Sequence, residues 1–454
     1  MKVVIVGAGE VGFHIASHLA LEKKNVVVID RDKAALRRVA ESIDAQTVQG
    51  SGSSPLVLEG AGIKEAEIIL AVTNSDETNL VACLVANILS PTTKKLARIR
   101  GGDFENYHQH FHDEAPHIDT LINPEIEVVK TIDQLMSVPG AVDVGEFAGG
   151  KVKFVGVYLE ARSRLCGVRL ADLPDLLGEE RPLIAAILRE EQLIIPQGND
   201  RLKVGDLVYF IAEENKLARV LEPFDKEVEP VHRVMVVGGG RIGFRVAKLL
   251  ESRAINTKIV EKDAERCAFL AEQLDKTIVL HGDGSDQSLL MEENIREMDV
   301  VLTLTDDEET NILASLLARR MGARKAITKI SKFSYFPLMK AIGLEQVVSP
   351  RLSAINSILQ HIRRGKVLSA ISIKGEQAEV IEAVAMKTSD IVEKPLKNVS
   401  LPKGVLVIGI IRDGEVIIPS GDSVILPDDR VIIFARRQAI PNIEKILSVK
   451  LEYF

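Results

Sequence analysis

The ten residues Val3-Val4-Ile5-Val6-Gly7-Ala8-Gly9-Glu10-Val11-Gly12 decide the fold of this chain. Four apolar residues suit a buried strand, and the Gly-x-Gly-x-x-Gly that follows opens a helical pattern over residues 11–21. Gly7 permits the sharp turn from strand to helix. Gly9 lets the backbone approach a pyrophosphate, and Gly12 lets the helix lie close on the sheet. The free N–H groups at the helix start, at the positive end of its dipole, suit anionic phosphates. Asp30 ends the next apolar run, where a carboxylate can accept both ribose hydroxyls of an adenosine. It would repel a 2′-phosphate, which favours NAD over NADP, although Arg31 beside it weakens that exclusion.

The stretch returns as Val234-Met235-Val236-Val237-Gly238-Gly239-Gly240-Arg241-Ile242-Gly243, with Glu261 in the place of Asp30. Ser75 to Ala86 returns as Asp307 to Ala318, and Leu193 to Gly198 as Val416 to Gly421, so the duplication runs the length of the chain. One glycine pattern alone is a weak signal. Two, each after a strand and each with an acid at the same offset, are a strong one.

The fold class expected is α/β: two Rossmann-like doubly wound parallel sheets, each followed by a small β-rich α+β domain. Residues 3–6, 26–29 and 68–72 read as buried strands, as do 234–237 and 300–304 in the second copy. The expected order is a Rossmann-like lobe over 1–124, a linking helix over 125–142 and a small lobe over 143–226. A second Rossmann-like lobe over 231–349, a linking helix over 350–367 and a small lobe over 368–453 follow. In the small lobes, 193–196 and 207–212 read as strands. The apolar stripe Ile126, Val129, Ile132, Met136 makes the first linking helix amphipathic, and that face could pack on its own core or across to a partner lobe. The natural joint between copies is Glu222-Pro223-Phe224-Asp225-Lys226-Glu227-Val228-Glu229-Pro230, charged and bracketed by prolines.

Composition narrows the function classes. A net charge of −8 argues against bulk attraction to nucleic acid or anionic lipid, and a 4% aromatic share is poor material for stacking bases. The N-terminal apolar run is too short for a signal peptide, and charges interrupt every candidate membrane span, so no direct membrane insertion is expected. Cys83, Cys166 and Cys267 are read as reduced, buried apolar residues of a cytoplasmic protein. His108, His110, His112, Asp113, Glu114 and His117 could be weighed as metal ligands, but the histidine spacing does not share one helical face, and a polar surface stretch is the simpler reading.

In an open parallel sheet, ligands bind beyond the carboxyl ends of the strands. Thr73 and Asn74 fall there, with Thr305 and Asp306 in the second copy; turn and helix-cap chemistry would account for them equally well. Arg98, with Lys329 as its counterpart, could meet phosphate or be a solvated surface charge. The small lobes share turn residues (Pro196 and Pro419, Gly198 and Gly421, Asp206 and Asp429) and no catalytic constellation, so no enzyme is expected. The two rivals are an NAD-dependent oxidoreductase with duplicated Rossmann domains and a redox-sensing DNA-binding repressor, the latter without a visible basic recognition helix.

Gly7 to Gly12 with Asp30, the run from Thr73 to Cys83, Ala97-Arg98-Ile99-Arg100 and the doubled architecture resemble the RCK family, and within it the NAD-binding peripheral subunits of bacterial Trk potassium uptake systems. The resemblance covers essentially the whole chain. It implies a nucleotide-sensing regulator on the cytoplasmic face of a potassium-transporting integral membrane subunit similar to TrkH or TrkG. It further implies a homo-oligomer, a tetramer, with NAD or NADH as ligand and ATP or ADP as alternatives. By the same resemblance, Gly7, Ala8, Gly9, Glu10, Val11, Gly12, Asp30, Thr73, Asn74 and Arg98 form the first site. Gly238, Gly239, Gly240, Arg241, Ile242, Gly243, Glu261 and Asp283 form the second. Gly282-Asp283 follows the family pattern after the third strand, where the first copy has Gly50-Ser51.

Overall fold

A computed structural model describes residues 1–102, 104, 108–113, 117–138, 140–178, 181–226, 230–362, 367–373 and 377–447. The opening apolar run forms β1 (Lys2–Val6), and the glycine turn leads into α1 (Glu10–Leu21). There follow β2 (Asn25–Asp30), α2 (Lys33–Ser42), β3 (Gln46–Gln49), β4 (Ile68–Ala71), α3 (Asp76–Leu89), β5 (Lys94–Arg98) and β6 (Thr120–Ile122). The sheet is parallel, in the order β3-β2-β1-β4-β5-β6. Val3 to Val6, Val26 to Ile29 and Ile68 to Ala71 are all buried, which is why these strands read as unbroken apolar runs rather than as alternating ones. The strand order reverses between β1 and β4, so a crevice opens beyond their carboxyl ends, beside the glycine turn.

The linking helix α4 (Pro124–Ser137) precedes an antiparallel sheet of β7 (Ala141–Phe147), β8 (Val152–Tyr158), β9 (Leu183–Arg189), β10 (Gln192–Ile194) and β11 (Leu207–Glu213), in the order β10-β9-β11-β8-β7. The strand expected over 193–196 stops at Ile194, two residues before Pro196, which has no N–H to give a ladder. The second copy repeats the plan. Its Rossmann lobe holds β12 (Arg233–Val237), α5 (Arg241–Ser252), β13 (Asn256–Glu261), β14 (Ile278–His281), β15 (Val300–Thr303), α6 (Glu308–Arg320), β16 (Lys325–Lys329) and β17 (Val347–Val348). The helix α7 (Pro350–Ile362) leads towards β18 (Val367–Ile373), β19 (Ala378–Val384), β20 (Val405–Arg412), β21 (Glu415–Ile417) and β22 (Arg430–Arg436). The orders are β14-β13-β12-β15-β16-β17 and β18-β19-β22-β20-β21.

The chain folds as two compact units, Met1–Val128 with Ser349–Arg363, and Val129–Val348 with Arg364–Phe454. This division does not follow the repeat. In the first unit α7, although it comes from the second copy, packs on α1 and on the edge strand β6. Lys94 donates to the His361 carbonyl at 2.9 Å, placing a cation at the negative end of that helix. In the second unit Lys325, the counterpart of Lys94, donates to the Leu135 carbonyl at 2.5 Å near the end of α4. Arg253 grips the Asp133 carboxylate with both terminal guanidinium nitrogens, Nη2 at 2.7 Å.

Within the second unit the two small sheets share a core. Phe147, Phe154, Tyr209 and Ile211 of one join Ile373, Val380, Ile408 and Phe434 of the other. The Phe154 and Tyr209 rings stack at 5.5 Å. At the joint, Glu222–Phe224 forms a short 3-10 turn with Pro223 and Phe224 buried, Phe224 stacking on Phe210 at 5.0 Å. Pro223 therefore closes the first small lobe rather than opening a linker, since no residue in the first turn of a helix needs its N–H for an intrahelical bond; residues 227–229 lie outside the described ones. Of the cysteines only Cys83 is buried, its thiol pushed up to about 12 by burial. Cys166 and Cys267 are half-exposed, contrary to expectation, and each donates to a nearby carbonyl, of Glu160 and Glu261. Among the described residues, no helix is long and apolar enough to cross a membrane.

Burial pushes the Lys325 ammonium down to about 8. Between pH 8 and its ordinary value of 10.5 the folded chain then binds fewer protons than the unfolded one, so stability rises with pH across that window. Lys325→Met should abolish this contribution: the Tm difference, wild type minus variant, grows between pH 8 and pH 10 in thermal melts. A flat difference would refute it.

Candidate nucleotide-binding crevices

Both glycine turns are built to the same tolerance. Gly7 has φ +113° and Gly238 φ +102°, in the left-handed region that disfavours a side chain. A Cβ on Gly12 would lie 1.9 Å from the Gly7 carbonyl oxygen, and one on Gly243 would lie 2.0 Å from that of Gly238, so any other residue would push the helix off the sheet. A Cβ on Gly9 or Gly240 would meet nothing within 4 Å; these positions face open space. They are also the N-caps of α1 and α5, and neither helix start is capped by a side chain. The first-turn amides, of Glu10, Val11 and Gly12 and of Arg241, Ile242 and Gly243, thus remain available to an anion.

The two acids hold these turns in place. Asp30 accepts from the Ala8 amide at 2.6 Å and from the Asp32 amide at 2.9 Å. Glu261 accepts from the amides of Gly239 at 2.7 Å, Lys262 at 2.7 Å and Asp263 at 2.9 Å. Each carboxylate ties the end of the second strand to the glycine turn and retains lone pairs for a further donor. An arginine closes each turn from the next helix. Arg38 donates to the Ala8 carbonyl at 3.3 Å, pairs with Glu10 at 3.0 Å and lies over the Phe13 ring at 4.5 Å. Arg266 donates to the Gly239 carbonyl at 2.7 Å and lies over Phe269 at 4.5 Å. The two arginines sit about one helical turn apart in the aligned copies, on the same face, so a position-by-position comparison of the repeats overlooks them.

The opposite wall is carried by α3 and β5. Asn79, fully buried, accepts from the Thr73 amide at 2.9 Å and hydroxyl at 2.7 Å, and donates to the Arg98 carbonyl at 2.8 Å. Asn311 repeats this with the Thr305 amide at 2.9 Å and the Lys329 carbonyl at 3.1 Å. These asparagines were legible only as part of the repeated Glu-Thr-Asn, not as the pins they are. Thr73 therefore supports the wall, whereas Asn74 reaches the crevice and accepts from Arg98 Nη2 at 3.1 Å.

Arg98 is no surface charge: it is 8% exposed, with its Nε buried and without a hydrogen-bond partner. Burial first, then the neighbouring Arg100 cation, push its guanidinium down to about 10; Asp76 pulls the other way, and Arg351 adds a smaller push than either neighbour. The second crevice handles charge differently. Lys329 pairs with Asp306 at 2.8 Å, and that hydrogen bond holds the Asp306 carboxyl below its usual range. Asp283 accepts from the Ser285 amide at 2.9 Å and hydroxyl at 2.7 Å through one oxygen, and its other oxygen meets Lys262, just beyond β13, at 3.2 Å. In the first copy Arg31 meets the Ser51 hydroxyl at 2.7 Å instead.

The first crevice is a cleft of about 470 Å³ lined by Ala8, Gly9, Glu10, Val11, Asn74 and Arg98, together with Asp32, Arg38 and Arg351. Gly7, Gly12, Asp30 and Thr73 stand behind this lining and shape it. Among the described residues no cluster of His, Cys, Asp and Glu is placed to hold a metal; the His108 side chain and Glu114 lie outside them.

The TrkA-N domain family matches residues 3–124 and 234–350, and the TrkA-C domain family matches 154–225 and 380–448. The chain is 39% identical to the Trk system potassium uptake protein TrkA of Halomonas elongata over 458 residues, covering 100% of both chains. It is 37% identical to the protein of the same name from Azorhizobium caulinodans over 459 residues, again covering 100% of both. Among solved structures, the crystal structure of the GsuK RCK domain shares the fold with a TM-score of 0.59 at 16% identity, covering 98% of this chain and 94% of that one. The GsuK channel bound to NAD gives a TM-score of 0.58 at 15% identity, covering 98% of this chain and 78% of that one.

Asn79→Ala removes four hydrogen bonds of a fully buried side chain, to the amide, hydroxyl and carbonyl of Thr73 and to the Arg98 carbonyl. Chemical denaturation should show a loss of about 2–4 kcal/mol, and a loss below about 0.5 kcal/mol would show that the wall does not depend on it.

Proposed function

We propose a function from one established premise: this chain belongs to the TrkA family of Trk-system potassium uptake proteins. It is a nucleotide-sensing regulatory subunit of a potassium uptake transporter or channel. It works on the cytoplasmic face of the membrane, as a homo-oligomer (a tetramer), docked to a potassium-transporting integral membrane subunit similar to TrkH or TrkG. The observation that carries this reading is the doubled, uncapped helix start, each tied by a strand-end carboxylate, the first faced by Arg98 from the opposite wall. Such a site takes the phosphates of an adenine nucleotide on backbone amides and the ribose hydroxyls on Asp30 or Glu261. NAD or NADH is the leading ligand, and ATP and ADP satisfy the same chemistry.

The side chains that surround the phosphate position bind and orient anions. A bound nucleotide acts by favouring one arrangement of lobes, and it can do so only by its difference in affinity between arrangements, about 1.4 kcal/mol for each tenfold preference. The two crevices are not equivalent. The buried Arg98 faces neutral Asn74, whereas Lys329 is already paired with Asp306, so the two lobes prefer different nucleotides. Gly7, Ala8, Gly9, Glu10, Val11, Gly12, Asp30, Thr73, Asn74 and Arg98 build the first site. Gly238 to Gly243 and Glu261 build the second, with Asp283 beside it.

Calorimetry with NADH, NAD, ATP and ADP tests the reading. Asp30→Ala should weaken binding at the first site at least tenfold, and Asn74→Asp should weaken it through pairing of Arg98, while Asp306→Asn should strengthen anion binding at the second site. Co-purification with the potassium-transporting subunit should hold for all three variants. Indifference of the wild-type chain to all four nucleotides, or consumption of NADH with a metabolite, would overturn the proposal, the latter in favour of an oxidoreductase.

A further inference from the structure

The first crevice borrows a cation from the other half of the chain. Arg351, in the first turn of α7, lines the cleft with Ala8, Gly9 and Arg98, although α7 follows the second Rossmann lobe in sequence. Its Nη1 stands 4.0 Å from Glu10 Oε2, and Glu10 also pairs with Arg38 at 3.0 Å, so one carboxylate at the start of α1 faces two guanidiniums. Arg351 lies close enough to Arg98 to depress its protonation, and Arg98 carries a buried Nε with no partner. Three arginines from three elements (α2, β5 and α7) thus converge on the uncapped start of α1, and among the described residues Glu10 and Asp32 are the acids of the lining. The residue in the place of Arg351 in the first linking helix is Glu125, of opposite charge, so Arg351 is not a generic feature of the repeat.

We infer that Arg351 is a phosphate-binding residue of the first crevice, so that a phosphorylated nucleotide bound there also fastens the helix that the second half of the chain supplies. The inference rests on the nucleotide-binding reading above and deepens it. A phosphate group at the start of α1 would compete with Glu10 for Arg38 and Arg351, replacing a carboxylate by an anion with more charge and more acceptor oxygens. Since α7 is held on the first unit by its packing on α1 and β6 and by Lys94 at its far end, a ligand bridging α1 and Arg351 adds a third point of attachment at the near end. Occupancy of the first crevice is thereby coupled to the docking of α7.

The test uses the full chain and calorimetric titrations of ADP, ATP, NAD and adenosine against wild type, Arg351→Ala, Arg351→Lys and Arg351→Glu. Charge-assisted hydrogen bonds of this kind set the scale. Arg351→Ala should weaken ADP, ATP and NAD by about ten- to a hundredfold and leave adenosine within about twofold; Arg351→Lys should recover part of the loss, and Arg351→Glu should lose more. Hydrogen exchange should show amides of residues 351–362 slowed by ADP in the wild type and unchanged by ADP in Arg351→Ala. The side chain is 39% exposed, so the ligand-free variants should melt within a few degrees of wild type. If Arg351→Ala binds ADP as the wild type does, this inference falls while the nucleotide-binding reading stands; if the wild type binds no adenine nucleotide, both fall. A loss for adenosine equal to the loss for ADP would overturn it as well, by showing a general disturbance of the crevice.

Discussion

A carboxylate at the end of the second strand hydrogen-bonds to an amide of the glycine turn, and the organisation of each Rossmann lobe depends on it. Asp30 to Ala8 and Glu261 to Gly239 are the same bond made with side chains of different length. The extra methylene of Glu261 is absorbed by moving its second oxygen onto two successive amides, of Lys262 and Asp263. With the turn so anchored, the helix start points its uncapped amides into the crevice, and the close contact of Gly12 with Gly7 keeps it there. The acid that would recognise a ribose therefore also preorganises the amides that would receive the phosphates, which lowers the ordering cost of binding.

Much of this architecture could be read in the sequence because the physics that creates it is local. A buried parallel strand must be apolar on both faces, and a strand-to-helix turn at that spacing must be glycine, so β1, β2 and β4, and β12 and β15 in the second copy, announce themselves. The candidate site was legible to the same depth: Gly7 to Gly12 and Asp30 sit where spacing puts them, and Asn74 and Arg98 reach the cleft. What sequence could not show is non-local. The burial of Arg98 depends on β5 and β6 lying side by side, and the closing roles of Arg38 and Arg266 depend on a helix face rather than on a shared offset. Asn79 and Asn311 look like ordinary helix residues until the strand whose carbonyls they bind is in place.

The small lobes show how little the pattern of a strand says about its partner. Alternation and turn residues foretell a β-rich lobe, yet Phe154 and Tyr209 on one sheet and Phe434 on the other meet only because the two sheets cover one another. Pro223 illustrates the same point on a smaller scale, since a residue that reads as a boundary becomes part of a core once Phe224 finds Phe210.

The exchange of α7 has a consequence for how the gene product can be divided. A chain severed in the joint between copies would give an amino-terminal piece whose α1 and β6 lack the helix that covers them, and a carboxyl-terminal piece carrying that helix with its apolar face bare. Neither fragment is a self-sufficient half of the duplication, and the two would have to be made together to complement one another.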